Sequence, residues 1–375
     1  MAKTIKELFE KGILTLATIP INNDYLLTNE ARAKRNAGHH IEGSKQNLDL
    51  TKLDKLDGIV LTIIKKDYKA VSPNIWNTVY TENNLNYRRI FAIAPITEQA
   101  MHEFLQAVKY DPKCLGGGAG SGFKDKIVPV LQQYGKLHPL AEIIGAANVI
   151  HKEKDGTLIG MNSDGEGFVE GLLYELGKYN EKIEGKKITI LGAGGTCAAI
   201  AFSLMPYKPK EIVIVNRTVQ KAQEIADRIN AHYHTKVVYA VGEDELSEEL
   251  PDTHAVVNTS DKGGEGPLAP YSAFGKVTTD AQNHPIPAHF TADTRAALHN
   301  MELLPRTSII ADVNLPEHVP TTLQYARAAG YTRLQDGLEM VARQAALQFK
   351  QRHGDLLPYD KVRTTMFRAA GLTHE

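Results

Sequence analysis

Glycines 192, 194 and 195 sit in the stretch of this 375-residue chain best equipped for chemistry. From Lys187 to Thr218 it runs KITILGAGGTCAAIAFSLMPYKPKEIVIVNRT. Ile188, Ile190 and Leu191 form a short apolar run that meets Gly192-Ala193-Gly194-Gly195. An apolar helical segment follows from Ala198 to Met205, and Pro206 and Pro209 stop it. A second apolar run, Ile212 to Val215, comes next. Strand, glycine turn, helix and strand in that order make a βαβ unit, which sets a pyrophosphate on a helix N-terminus. Gly192 suits the tight turn and Gly194 lets backbone approach phosphate. The third position falls at Cys197, small but neither Gly nor Ala. The second strand ends Asn216-Arg217-Thr218, with Lys221 one helical turn on and no acid. NAD-binding units usually hold the ribose 2′-OH with an acid in this region. A guanidinium matches a 2′-phosphate instead, and a carboxylate would repel it. The stretch reads as an NADP site. The plainer alternatives are an ordinary strand–turn–helix and a solvated basic face.

The elements around this stretch alternate. GIVLTII from Gly58 reads as a buried strand, and Ser72-Pro73 starts a helix with Ser72 as N-cap. A strand over Arg89 to Ile96 precedes a helix over Thr97 to Tyr110. Cys114 to Gly122 is glycine-rich, and Phe123 to Tyr134 reads as a helix broken near Pro129. Two short apolar runs flank Lys154-Asp155-Gly156 as a hairpin, and Asn162-Ser163-Asp164-Gly165 opens a helix to about Leu176. After the glycine turn, Val237 to Ala240, Ala255 to Asn258, Ser308 to Val313 and Thr332 to Leu334 read as strands. Ser260 to Pro305 reads as a long loop, Thr321 to Ala329 as a helix, and Leu338 to Phe349 as an amphipathic C-terminal helix. Alternating strands and helices mean an α/β fold, and the length allows two domains. Formal net charge is −1, so nothing favours nucleic acid or an anionic membrane. Two cysteines, Cys114 and Cys197, exclude a disulfide framework. Charges at Lys3, Lys6, Glu7, Glu10 and Lys11 break any signal-peptide core, and no run is long enough to span a bilayer. A soluble cytoplasmic protein is expected, with no metal-ligand spacing. His39-His40 and the polar stretch Glu30 to Asn47 read as surface.

Several motifs occur in one order: Ser72-Pro73 with Asn74, Phe123-Lys124, GAANVI, NSDG, GAGG, NRT and a late GLEMVARQ helix. In that order the chain resembles the shikimate dehydrogenase family, from about Gly58 to Gly354. The resemblance implies two α/β domains: residues 58–165 for substrate, completed by a C-terminal helix over 337–375, and a Rossmann-like NADP domain over 166–336, with a parallel sheet and the active site in the cleft between. Residues 1–57 would be an N-terminal extension. It implies Lys124 as the catalytic lysine with Asp164 as its partner. Ser72, Asn148 and Gln344 would bind substrate, and Gly192, Ala193, Gly194, Gly195, Asn216, Arg217, Thr218 and Lys221 would bind NADP. The chemistry is coherent. Hydride transfer from a secondary alcohol needs a base for the hydroxyl proton, and the reverse needs an acid. Burial lowers a lysine's pKa, and a nearby aspartate opposes that while holding the amine in place. Taken singly, Lys124 reads as a solvated lysine and Asp164 as a helix-start residue.

The departures concern substrate. The family's serine two positions before Ser72 is Ala70, and its Asn-Val-Thr-Ile-Pro run becomes GAGSG, placing Gly118 and Gly120 where an asparagine and a threonine stand. Its tyrosine falls at about Asn314, and its Asn-Ala-Thr reads Asn258-Thr259-Ser260. Each lost hydroxyl weakens binding of a polyhydroxylated acid by about 0.5–1.5 kcal/mol. The expected activity is an NADP-dependent oxidoreductase acting on a small cyclic hydroxy-acid, shikimate or a relative, in aromatic amino acid biosynthesis. A homodimer is compatible with such a chain. A non-catalytic regulator that binds dinucleotide or a small acid is the alternative. A methylenetetrahydrofolate dehydrogenase-like enzyme is a further one.

Overall fold

The computed structural model describes residues 4–20, 43–45, 48–66, 71–315 and 319–372. His39-His40, most of the polar stretch around it, and Ala70 lie outside the described residues. The chain divides into two compact units, Met1–Asp164 with Val341–Glu375, and Gly165–Met340.

The first unit contains β1 (Thr15–Leu16), β2 (Thr18–Pro20), β3 (Gly43–Lys45), β4 (Gly58–Ile64), β5 (Tyr87–Ile93), β6 (Cys114–Ala119), β7 (Gly135–Leu137), β8 (Val149–Lys152) and β9 (Leu158–Met161). Seven of them form one mixed sheet in the order β1-β5-β4-β6-β8-β9-β7, while β2 and β3 pair separately. All seven residues of β4 are buried. A strand that apolar on both sides requires cover on both faces. Ile59, Leu61 and Ile63 pack on one face with Phe104, Leu105 and Val108 of the helix Glu98–Tyr110. Ile5, Leu8, Leu14 and Leu53 belong to the same core, so residues before 58 are built into this unit rather than appended to it. Val60, Thr62 and Ile64 take the other face by strand alternation. The helix Ser72–Glu82 carries Trp76 and Tyr80, which are fully buried. Trp76 meets Phe349 of the helix Gly337–His353 with ring centroids 5.4 Å apart, and Tyr80 meets it at 5.8 Å. Each such ring contributes about 2–3 kcal/mol by burial. That aromatic contact is what returns the end of the chain to its first unit.

The second unit contains β10 (Lys187–Leu191), β11 (Glu211–Val215), β12 (Val238–Val241), β13 (Thr253–Asn258), β14 (Ile309–Asp312) and β15 (Leu334–Asp336). Their order is β12-β11-β10-β13-β14-β15, and every pairing is parallel. That is the 3-2-1-4-5-6 order of a Rossmann sheet, whose direction of growth reverses beside its first strand. No helix among the described residues is long and apolar enough to cross a membrane.

Several expectations change in the structure. Ser72 is the first helical residue and Val71 the residue before the helix, so Ser72 is not the N-cap. Cys114–Ala119 is a strand, because its glycines fit a crowded central position that side chains could not enter. The helix expected over Phe123 to Tyr134 shrinks to Ile127–Leu131, with turns on either side. Gly135–Leu137 adds an unforeseen strand paired to β9. The long segment 260–305 holds the helix Phe290–Leu303, which buries Ala297 and Met301. The C-terminal segment makes two helices, Gly337–His353 and Tyr359–Ala369, separated around Pro358.

Candidate active site

The hairpin register starts the site. Val149 on β8 pairs with Met161 on β9, so Asn148 and the residues after Met161 lie side by side. Asn148 Nδ2 donates to Asp164 Oδ1 at 2.7 Å and to Gln344 Oε1 at 3.1 Å. Its Oδ1 accepts the Ser163 N–H at 3.0 Å. The Asp164 N–H donates to Asn162 Oδ1 at 3.0 Å, which fixes the helix start. Asp164 is the first residue of the helix Asp164–Gly177, with its carboxylate buried. The next residue must be glycine, because a Cβ at Gly165 would lie 2.1 Å from the Ala199 carbonyl.

Lys124 comes from the turn after β6. Its carbonyl accepts the Ala147 N–H at 2.8 Å, anchoring the turn beside Asn148. Its Nζ donates to Asp164 Oδ2 at 2.5 Å, with the lysine side chain about a quarter exposed at 26% and the aspartate side chain at 2%. Gln344 and Gln348 project from one face of the helix Gly337–His353. Ser163 Oγ donates to Gln344 Oε1 at 3.2 Å and accepts from Gln348 Nε2 at 2.9 Å. The result is a partly exposed amine held by a buried carboxylate, with amides and a hydroxyl beside it. Such an arrangement can move a proton at an oxygen and hold neighbouring hydroxyls.

Of the residues singled out from sequence, Lys124, Asp164, Asn148 and Gln344 meet in this network. Ser72 is half-buried at its helix start and makes none of these hydrogen bonds. Ser163 and Gln348 were missed. The signals were available: Ser163 stands inside NSDG, and Gln348 lies one helical turn beyond Gln344. Gly118 has a physical reason. A Cβ there would lie 2.7 Å from the Asn148 carbonyl and 2.9 Å from Thr62 Oγ1. Gly120 would clash with Ile64 Cγ2 at 2.5 Å.

In the second unit, Gly192 has φ +106° and its N–H donates to the Val215 carbonyl at 2.8 Å. A side chain there would lie 2.8 Å from the Ser260 nitrogen. Gly194 caps the helix Gly195–Leu204 and a Cβ on it would meet nothing within 4 Å, leaving open space in front of the helix N-terminus. Ala193 is half-buried between them. Cys197 is fully buried, and burial pushes its thiol up to about 12, so it packs and does not react. After β11, Asn216 Nδ2 donates to the Thr218 carbonyl at 2.9 Å and shapes the turn. Arg217, Thr218 and Lys221 are exposed. A pocket beside the glycine turn is lined by Gly192, Asn216, Glu243, Ser260 and Lys262. The acid in it is already paired, Glu243 with Lys262 at 2.7 Å. Asn314, at the family's tyrosine position, donates to the Ser260 carbonyl at 2.8 Å and ties down this loop. The open helix N-terminus, the close-packed glycine and the uncompensated Arg217 and Lys221 fit a dinucleotide with an added phosphate.

A Rossmann unit with a glycine phosphate turn defines an α/β dinucleotide-binding class of fold. The family model described as Shikimate / quinate 5-dehydrogenase matches residues 175–261. A shikimate dehydrogenase (NADP(+)) of Alkaliphilus metalliredigens (strain QYMF) is 27% identical over 296 residues, covering 78% of this chain and 91% of that enzyme. Quinate dehydrogenase from Corynebacterium glutamicum in complex with NAD superimposes with a TM-score of 0.64 at 21% identity, covering 83% of this chain and 99% of that one. Shikimate 5-dehydrogenase from Thermus thermophilus, in complex with NADP(H) and shikimate, gives 0.60 at 23% identity, covering 83% and 99%. Over most of its length the chain is similar to shikimate and quinate dehydrogenases, and it shares their two-unit α/β fold.

Proposed function

We propose that the chain is an NADP-dependent oxidoreductase that interconverts a hydroxyl and a ketone on a small cyclic hydroxy-acid, shikimate/3-dehydroshikimate or a relative. The observation that carries this is the convergence of Lys124, Asp164, Asn148 and Gln344, with Asn148 and Gln344 196 residues apart, in one hydrogen-bonded network. The NADP(+)-dependent relative and the shikimate-bound neighbour support the same reading. Lys124 Nζ takes the proton from the substrate hydroxyl in oxidation and returns it to the forming alkoxide in reduction. Asp164 holds the amine in line. Asn148 and Gln344 bind neighbouring hydroxyls, and Ser72 adds a contact from its helix start. Gly192, Ala193, Gly194 and Gly195 would hold the pyrophosphate; Asn216, Arg217, Thr218 and Lys221 would hold the adenosine 2′-phosphate. NADP, when bound, accepts or supplies the hydride. On this reading residues 58–165 with 337–375 handle substrate and 166–336 the nucleotide. Two unpaired, buried cysteines support a cytoplasmic location.

The test is absorbance at the nicotinamide band with shikimate, quinate and related cyclic acids, each against NADP and NAD. Turnover of one acid, faster with NADP, is expected. NADPH binding with no turnover of any acid would overturn the catalytic reading.

A further inference from the structure

Beneath Asn148 lies a group of buried cations that the proposed reaction does not use. Arg89, on β5, is only 5% exposed. Its guanidinium stands 4.5 Å above the Trp76 ring, and that of Arg352 stands 5.8 Å from the same ring. Arg89 Nη2 reaches Thr62 Oγ1 at 3.4 Å, and Arg352 Nη2 donates to the Gly117 and Ile150 carbonyls at 3.3 and 3.2 Å. Nε and Nη1 of both arginines are buried and have no hydrogen-bond partner among the described residues, and neither does Trp76 Nε1. Every one of these atoms is a donor.

No carboxylate among the described residues answers them. Among the described residues, Arg352 and Tyr80 act on Arg89, and Tyr80 and Cys114 act on Arg352. His353, beside the Trp76 ring, supplies no negative charge; burial and then Arg352 push it down to about 4. Burial and then Arg352 push Arg89 down to about 9, which leaves it charged at neutral pH. Stacking on Trp76 offsets part of the desolvation of two like charges, but it satisfies no N–H.

The position is next to the catalytic network. Thr62 is in register with Gly118, and a Cβ on Gly118 would touch both Thr62 Oγ1 and the Asn148 carbonyl. Gln344, Gln348 and Arg352 follow one another at four-residue spacing on one helix. At Gly116 a Cβ would come within 3.1 Å of Arg352 Nη2, so the glycine run of β6 makes room for this guanidinium.

We propose that Arg89 and Arg352 form a buried oxyanion site, one residue layer beneath Asn148, that takes a carboxylate or phosphate group. Two planar forks whose Nε and Nη1 have no partner among the described residues offer donors for the oxygens of such a group. The group is either the acid function of the substrate, relocated where the polar side chains expected at Gly118 and Gly120 are missing, or a small free oxyanion. Only the first source rests on the dehydrogenase reading.

Trp76 is the single tryptophan of the chain, so its emission reports on the site directly. The nucleotide-free protein is titrated with sodium phosphate and with shikimate at constant ionic strength, with sodium chloride as the blank. A saturable change in emission is expected, with an apparent Kd raised at least tenfold in Arg89→Leu and in Arg352→Met. Competition between shikimate and phosphate assigns the site to the substrate's carboxylate; independent binding assigns it to a free oxyanion. No saturable change with either ligand in the unaltered protein overturns the proposal, as does a change that both variants retain. The titration needs no turnover, so an inactive enzyme leaves it standing.

Discussion

Replacing Lys124 by alanine separates the catalytic reading from a structural one. The amine sits 2.5 Å from a carboxylate whose side chain is 2% exposed, while its own side chain is 26% exposed. Removing it leaves Asp164 buried with Asn148 as its remaining side-chain donor at 2.7 Å. A fully buried pair loses about 3–5 kcal/mol when one partner goes. Water reaches the lysine head here, so screening reduces the cost to about 1–3 kcal/mol. In a unit of this size that is roughly 2–4 °C of Tm per kcal/mol. The effect on rate is separate. A positioned general acid–base is worth about 10²–10⁴-fold, so kcat falls by about that factor. NADPH affinity stays unchanged, because the glycine turn and Arg217 belong to the other unit. The assay combines thermal unfolding, NADPH binding by fluorescence and single-turnover absorbance for Lys124→Ala, Asp164→Asn and the double variant. The double variant should lose less stability than the two single losses added, because the pair is broken only once. A kcat within about threefold of the unaltered enzyme would remove Lys124 from proton transfer, and strictly additive stability losses would refute the ion pair.

Arg217→Ala should raise the Kd for NADP about tenfold, the worth of one charge-assisted hydrogen bond, and leave that for NAD within about twofold; equal loss for both would exclude a 2′-phosphate contact. Gln348→Ala should cost about 1–2 kcal/mol in chemical denaturation by leaving Ser163 Oγ without its 2.9 Å donor, with a smaller effect on kcat than Lys124→Ala. Asp312 is buried, and burial pushes its carboxyl up to about 7 against hydrogen bonds from Asn258 and Asn314. Its folded pKa exceeds its unfolded value, so the folded state holds the proton more tightly. The stabilisation is fully present below about pH 4 and is lost as pH rises through about 7. Denaturation at about pH 5.5 and about pH 8 should show the unaltered protein losing stability relative to Asp312→Asn by up to about 1.4 kcal/mol per pH unit below about pH 7, levelling off above it; parallel profiles would contradict a raised pKa.

The nucleotide unit was the most legible part of the chain. Its strands are continuous apolar runs, its punctuation is glycine and proline, and its phosphate turn is contiguous in sequence, so local rules sufficed. The hairpin carrying Asn148 and Asp164 was legible for the same reason. The helix Phe290–Leu303 was not, because it buries only Ala297 and Met301 and so carries almost no apolar stripe. Nor was β6, whose GGG run is a strand because Leu61 and Thr62 crowd it from the neighbouring strand. Tertiary structure showed Gln348 and Ser163 hydrogen-bonded in one network with Asn148 and Gln344. It also stacked Arg89 and Arg352 on one tryptophan, from positions on β5 and on the helix Gly337–His353. Sequence specifies which residues can donate, accept or carry charge. Which of them are buried together without a counter-ion among the described residues depends on long-range packing, and no local periodicity encodes it.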